Sequence, residues 1–147
     1  MSLVIDIADA VTAELNAAPE GTFIPTFTAM RKVLPVFELA ELTDLKVTVV
    51  PKRMAITGGT RSACQYEIAV DIGIQRKLIT DMEADVAALG TLVDQIIDYL
   101  RQRPLSALPG AGVSWLSTVN EPVYAPEHLL EQRVFTSVLT VTYRAMK

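Results

Sequence analysis

His128 and Cys64 are the single histidine and the single cysteine of this chain. They are the side chains most easily poised for acid–base or nucleophilic work near neutral pH. His128 stands in the stretch APEHLLEQR, with Glu127 and Glu131 as its nearest acid–base companions. A lone histidine at a turn reads first as a surface or capping residue. Cys64, beside the start of a strand pattern, reads as a small structural residue. Cys–His catalysis requires the two to meet in space and the thiol to gain thiolate character, and the local sequence indicates neither.

Metal chemistry has as little to draw on. A closed zinc site takes its ligands from Cys and His, and a calcium site takes acids at close alternate spacing. Asp81, Glu83 and Asp85 in TDMEAD have that spacing. However, acids are favoured in the first turn of a helix by its dipole, and Thr80 and Glu83 have the spacing of a capping box. The TGGT stretch at 57–60 lacks the Lys and the helix start of a phosphate loop and reads as a hairpin turn. The expectation is a protein with no catalytic residue, no cofactor and no metal.

Basic pairs remain. Arg31-Lys32, Lys52-Arg53, Arg76-Lys77 and the Arg101/Arg103 pair can each meet phosphates or acidic partner surfaces, although solvated strand ends explain most of them. Lys52, Arg53 and Arg61 lie on the two arms of one hairpin and can cluster at its exposed end. Arg31, Lys32, Lys52, Arg53 and Arg61 are therefore the candidate interface residues. Trp115 in VSWLS reads as core or interface.

The composition bounds what these residues can serve. The 147 residues are about one domain's worth, so a single domain spanning 1–147 is expected, with a core that needs no disulfide or metal. Half the residues are hydrophobic and only 20% are charged. Such an apolar surplus goes into a dry core or an oligomer interface. The net charge of −4 argues against a protein whose task is to grip nucleic acid through phosphates. An unpaired cysteine, no signal-peptide pattern and no membrane-length apolar run together suggest a cytoplasmic protein.

The elements that must position these residues are legible from periodicity. Leu3, Ile7, Val11 and Leu15 recur at i+4 in an acidic first helix that Ser2 can cap, with Asp6, Asp9 and Glu14 mostly off the apolar stripe. Residues 26–34 suggest an edge strand, and FELAELTDL a short helical turn. Residues 45–57 and QYEIAVDIGIQ alternate as the arms of an antiparallel hairpin, with Gly73 as a candidate bulge. A long helix carrying Val86, Leu89, Val93, Ile96, Ile97 and Leu100 ends before Pro104. SWLSTVNEPVYAP suggests a strand interrupted at Pro122, 126–130 one helical turn, and FTSVLTVTYRAMK a closing strand with one side in a core. The predicted fold class is α+β: a single, mostly antiparallel sheet of about five strands, in the order α-β-β-β-α-β-β, packed against two main helices.

That order, carried by LVIDIADAVTAELN, by VTVVPKRMAIT with YEIAVDIGIQRKL, and by EQRVFTSVLTVTYRAMK, resembles the tail-terminator or tail-completion (neck) proteins of long-tailed bacteriophages and prophages. The resemblance rests on element order and on no catalytic motif. It implies a structural virion protein that does no covalent chemistry. Such a subunit forms a homo-oligomeric ring, commonly a hexamer, which caps the tail tube and meets a head-connector protein. DNA passes through the lumen without being held. It would be made in the bacterial cytoplasm and end in the virion neck, with no membrane contact. The 19–44 segment and the Pro-rich 104–126 region depart from the shortest members. A head-closure or head–tail joining component, and a cytoplasmic α+β module binding a small molecule or regulatory partner, are the alternative readings.

Overall fold

The computed structural model describes residues 2–34, 39–59, 61, 63–108 and 112–146. Helices α1 (Leu3–Asn16) and α2 (Met82–Leu100) accompany strands β1 (Ala29–Arg31), β2 (Lys46–Gly58), β3 (Cys64–Lys77), β4 (Ser114–Asn120) and β5 (Val134–Met146). A 3-10 turn, Leu39–Thr43, precedes β2, and a π-helical turn, His128–Gln132, precedes β5. The helical turn read in FELAELTDL is this 3-10 turn, except that its first two residues, with Pro35, lie outside the described residues.

The strands make one sheet in the order β1-β2-β3-β5-β4, parallel between β1 and β2 and antiparallel elsewhere. The predicted α+β class and element order are therefore what is observed. The closing strand lies inside the sheet, paired on both sides, which is why its alternation is so regular. Phe135, Ser137, Leu139, Val141 and Tyr143 are all buried. Opposite them Ile68, Val70, Ile72 and Ile74 of β3 are fully enclosed. Both helices lay their apolar stripes on this side: Ile7, Val11 and Leu15 from α1, and Leu89, Leu92, Val93 and Ile96 from α2, share one core cluster with the strands.

Several local expectations are corrected. The edge strand read at 26–34 is reduced to Ala29–Arg31. The side chain of Asn16 holds its start, accepting from the Ala29 amide and donating to the Ala29 carbonyl. The bulge falls not at Gly73 but between Pro51 and Arg53 on the partner arm. Gly73 pairs regularly with Thr48, whose Oγ1 would lie 3.0 Å from an added Cβ, so the glycine serves a close approach and not a bend. The capping box does not form. Asp81 is the N-cap residue of α2, and the Thr80 hydroxyl donates to Asp85 instead. Ser2 does cap α1, accepting from the Ile5 amide at 3.5 Å. Glu14, expected off the stripe, is buried.

The 3-10 turn lies against β3, and its Leu42 is buried without joining the cluster under the helices. With α1 filling the helix side, this puts the β1–β2 crossover on the other face, where Thr48 and Ala69 are also buried. In the core itself, the Tyr143 hydroxyl is enclosed with no hydrogen-bond partner among the described residues. Burial, and then the nearby Glu14 charge, push its ionisation well above the ordinary tyrosine range. Tyr143→Phe removes an unsatisfied polar atom while keeping the ring. We expect it to raise the unfolding free energy by about 1 kcal/mol in urea titrations; a loss of that size would show that the hydroxyl has a partner in solution.

Candidate functional site

The residues best suited to catalysis are held far apart. Cys64 opens β3, at the end of the sheet where Gln65 pairs with Met146. His128 lies at the other end, its Nδ1 2.8 Å from the Thr136 hydroxyl, and Thr136 pairs with Gln75. Gln75 lies eleven residue steps along β3 from Cys64, or about 35 Å at ~3.3 Å per step. A thiolate–imidazole pair cannot form within one copy. Among the described residues, no group of three His, Cys, Asp or Glu side chains is placed to hold a metal ion.

The acids that are buried hold chain segments together. Asp85 accepts from the Ile79 and Thr80 amides at 2.7 and 2.8 Å and from the Thr80 hydroxyl at 2.8 Å, with Arg76 Nη2 3.6 Å away. Burial opposes its ionisation, but the Thr80 and Ile79 hydrogen bonds and the Arg76 charge outweigh it and hold the carboxyl below its usual range. Glu14 similarly accepts from the Ser106 amide at 2.9 Å and pairs with Arg103 at 3.5 Å. The Arg103 guanidinium lies 3.9 Å from the centroid of the Tyr99 ring, and the Tyr99 hydroxyl donates to the Glu14 carbonyl. The Asp85 cluster ties the end of β3 and the turn after it to α2, and the Glu14 cluster ties α1 to α2 and the following loop.

The candidate basic residues are distributed along the sheet. Arg31 Nε donates to Asp9 Oδ1 at 2.6 Å, tying β1 to α1, and half-buried Lys32 follows it. Lys52 sits at the β2 bulge and reaches across the helix-free face to Asp71 at 3.5 Å and the Thr140 hydroxyl at 3.3 Å. Arg53 is exposed on β2, opposite Ala69, and Arg61 is exposed in the hairpin turn. Arg53 and Arg61 share the projecting hairpin, but the structure does not gather Lys52, Arg53 and Arg61 at its tip, because the bulge lies midway along the arm. Trp115 packs against the core and donates to Thr118 Oγ1 at 2.9 Å.

Two apolar features went unrecognised in the sequence. Alongside α2, Met82, Val86 and Ala87 face Tyr124, Leu129 and Leu130 across an open groove of about 450 Å³. It runs into a second hollow of about 280 Å³, which shares Val86, Ala87 and Tyr124 with it. Leu130 is 76% exposed on the rim. At the opposite end of the sheet, Met54 and Ile56 pair with Ile68 and Tyr66 and so point to the helix side, yet they remain 45% and 53% exposed. The hairpin thus projects past the layer that covers the rest of that face. Periodicity reads Val86 simply as core stripe. The available signal is the set of Val123, Tyr124 and Leu130 in an irregular segment that buries only their neighbour Leu129.

No helix among the described residues is long and apolar enough to cross a membrane. No protein-family model matches the chain, and no curated protein does. Among solved structures, the chain is similar over 100% of its length, and of the other chain's length, to a component of the virion of a native gene transfer agent particle, with 14% identity and a TM-score of 0.59.

Proposed function

We propose that this chain is a structural subunit of a phage-like virion which caps the tail tube and helps to join tail to head, as a ring-forming oligomer. The observation that carries the reading is the end-to-end fold likeness to a chain of a gene transfer agent virion, in agreement with the element order that resembles tail-terminator proteins. Burial of the strongest polar clusters, and placement of Cys64 and His128 at opposite ends of the sheet, support a role exercised through surfaces. Its partners are further copies of itself, a tail-tube protein and a head connector. Arg31, Lys32, Lys52, Arg53 and Arg61 are candidates for those contacts.

An open, apolar groove with no converging set of polar groups suits a protein segment better than a metabolite. Deleting the gene from the phage-like element tests the assignment. A lost cap gives tails of uncontrolled length and heads without tails, both restored by the gene in trans. Normal tails with leaking heads favour the head-closure reading, and intact particles contradict a virion role.

A further inference from the structure

The groove beside α2 and the tip of the β2–β3 hairpin are unlike surfaces at opposite ends of one sheet, and they complement each other. We infer that the groove receives the hairpin of a second copy of this chain, in a head-to-tail contact; this rests on the ring-forming reading above.

The apolar match is the first argument. Met54 and Ile56 form an exposed pair on one side of a two-stranded projection, and the groove offers Val86, Leu129 and Leu130 to cover them. Charge is the second. Residues 52–66 of the hairpin contain Lys52, Arg53 and Arg61 and no acid. The groove walls, 79–98 and 119–132, contain no Lys or Arg; Glu83 and Asp94 line the two hollows, and Asp81, Glu127 and Glu131 are neighbours in sequence of their lining residues. An apolar hairpin edged by positive charge therefore meets an apolar groove edged by negative charge, which orients the encounter and disfavours groove-to-groove pairing.

Geometry supplies the third argument. The hairpin arm β3 is hydrogen-bonded to β5 from Gln65 to Lys77, so it cannot fold back into the groove of its own copy. The copies must instead engage one after another. A contact between two different patches is heterologous, and it closes into a ring when the rotation per copy allows. The Pro51 bulge and the charges beside it also blunt the free edge of β2 against indiscriminate strand pairing, leaving side chains to make the contact.

The test uses two variants of the full chain, Ile56→Glu in the hairpin and Leu130→Glu on the groove rim. Both positions are exposed, and thermal melts check that each variant folds like the wild type. In sedimentation velocity at matched concentration the wild type should form oligomers that weaken in high salt, and each variant alone should remain monomeric. An equimolar mixture should give a dimer and nothing larger, because only one sound hairpin and one sound groove remain to meet.

Disulfide trapping gives a second readout: Ile56→Cys and Leu130→Cys, each with Cys64→Ser, should cross-link when mixed and in neither case alone. Variants that keep wild-type oligomers and give no mixed disulfide would overturn this contact while leaving ring formation standing. A wild-type chain that stays monomeric, alone and with tail tubes, would end both.

Discussion

Replacing Asp85 with asparagine should lower the unfolding free energy at neutral pH by about 3 kcal/mol, the cost of breaking a buried, hydrogen-bonded charge pair. The carboxylate is 6% exposed. Its oxygens accept from two amides and a hydroxyl, at 2.7 to 2.8 Å. Asparagine places an NH2 donor among donors and leaves Arg76, itself mostly buried, facing no charge. The joint that fails is the turn from β3 into α2, so the helix that lines the groove loses its anchor.

The pH dependence follows from the direction of the shift. Asp85 has a depressed folded-state pKa, so its stabilisation is present above the unfolded value of about 3.9 and fades as the pH falls through the lower folded value. The difference between wild type and Asp85→Asn should accordingly be largest at neutral pH and shrink on acidification. Urea titrations at stepped pH measure it. A difference that stays constant across the acid range would contradict the ionised-anchor account.

Glu14→Ala is expected to be nearly as damaging, at about 2–3 kcal/mol. The buried Glu14 carboxylate accepts from the Ser106 amide and pairs with Arg103. Truncation leaves that amide without its acceptor and opens a gap between α1 and the loop after α2. Amide exchange at Ser106 should accelerate more than exchange in the centre of β3. Uniform acceleration would mean that Glu14 acts on global stability alone and does not position the loop.

Where one rule decided the outcome, the sequence was readable. The i+4 stripe of α1 and the alternation in β3 and β5 reflect burial on a single side, and burial is what periodicity measures. The order of elements followed from those signals. What was missed depended on contacts distant in sequence. The capping box from Thr80 to Glu83 was locally plausible, but Asp85 competes for the same donors and adds Arg76 from β3. Glu14 reads as an exposed acid until Ser106 and Arg103 come to meet it. Gly73 suggested a bulge because nothing local records the Thr48 hydroxyl across the ladder.

The candidate surface was less legible than the fold. Paired basic residues drew attention to Lys52 and Arg53, yet only the register shift at Pro51/Arg53 reveals that they flank a bulge partway along β2. Arg31 is spoken for by Asp9. The exposure of Met54 and Ile56 depends on how far the helices extend over the sheet, and the groove on how 122–130 packs beside α2. Neither is written in the pattern of one segment. The sign asymmetry, with basic residues in the hairpin and acids along both walls of the groove, was present in the sequence and becomes meaningful only once the two lie at opposite ends of one rigid sheet.

The claim that matters most is that these surfaces make the protein a ring-shaped cap. Electron microscopy of the purified chain mixed with tail tubes of the same phage-like element tests it most directly. Closed rings of this chain seated at one end of the tubes are the expected result; bare tube ends with the chain left as monomers in the background would contradict it.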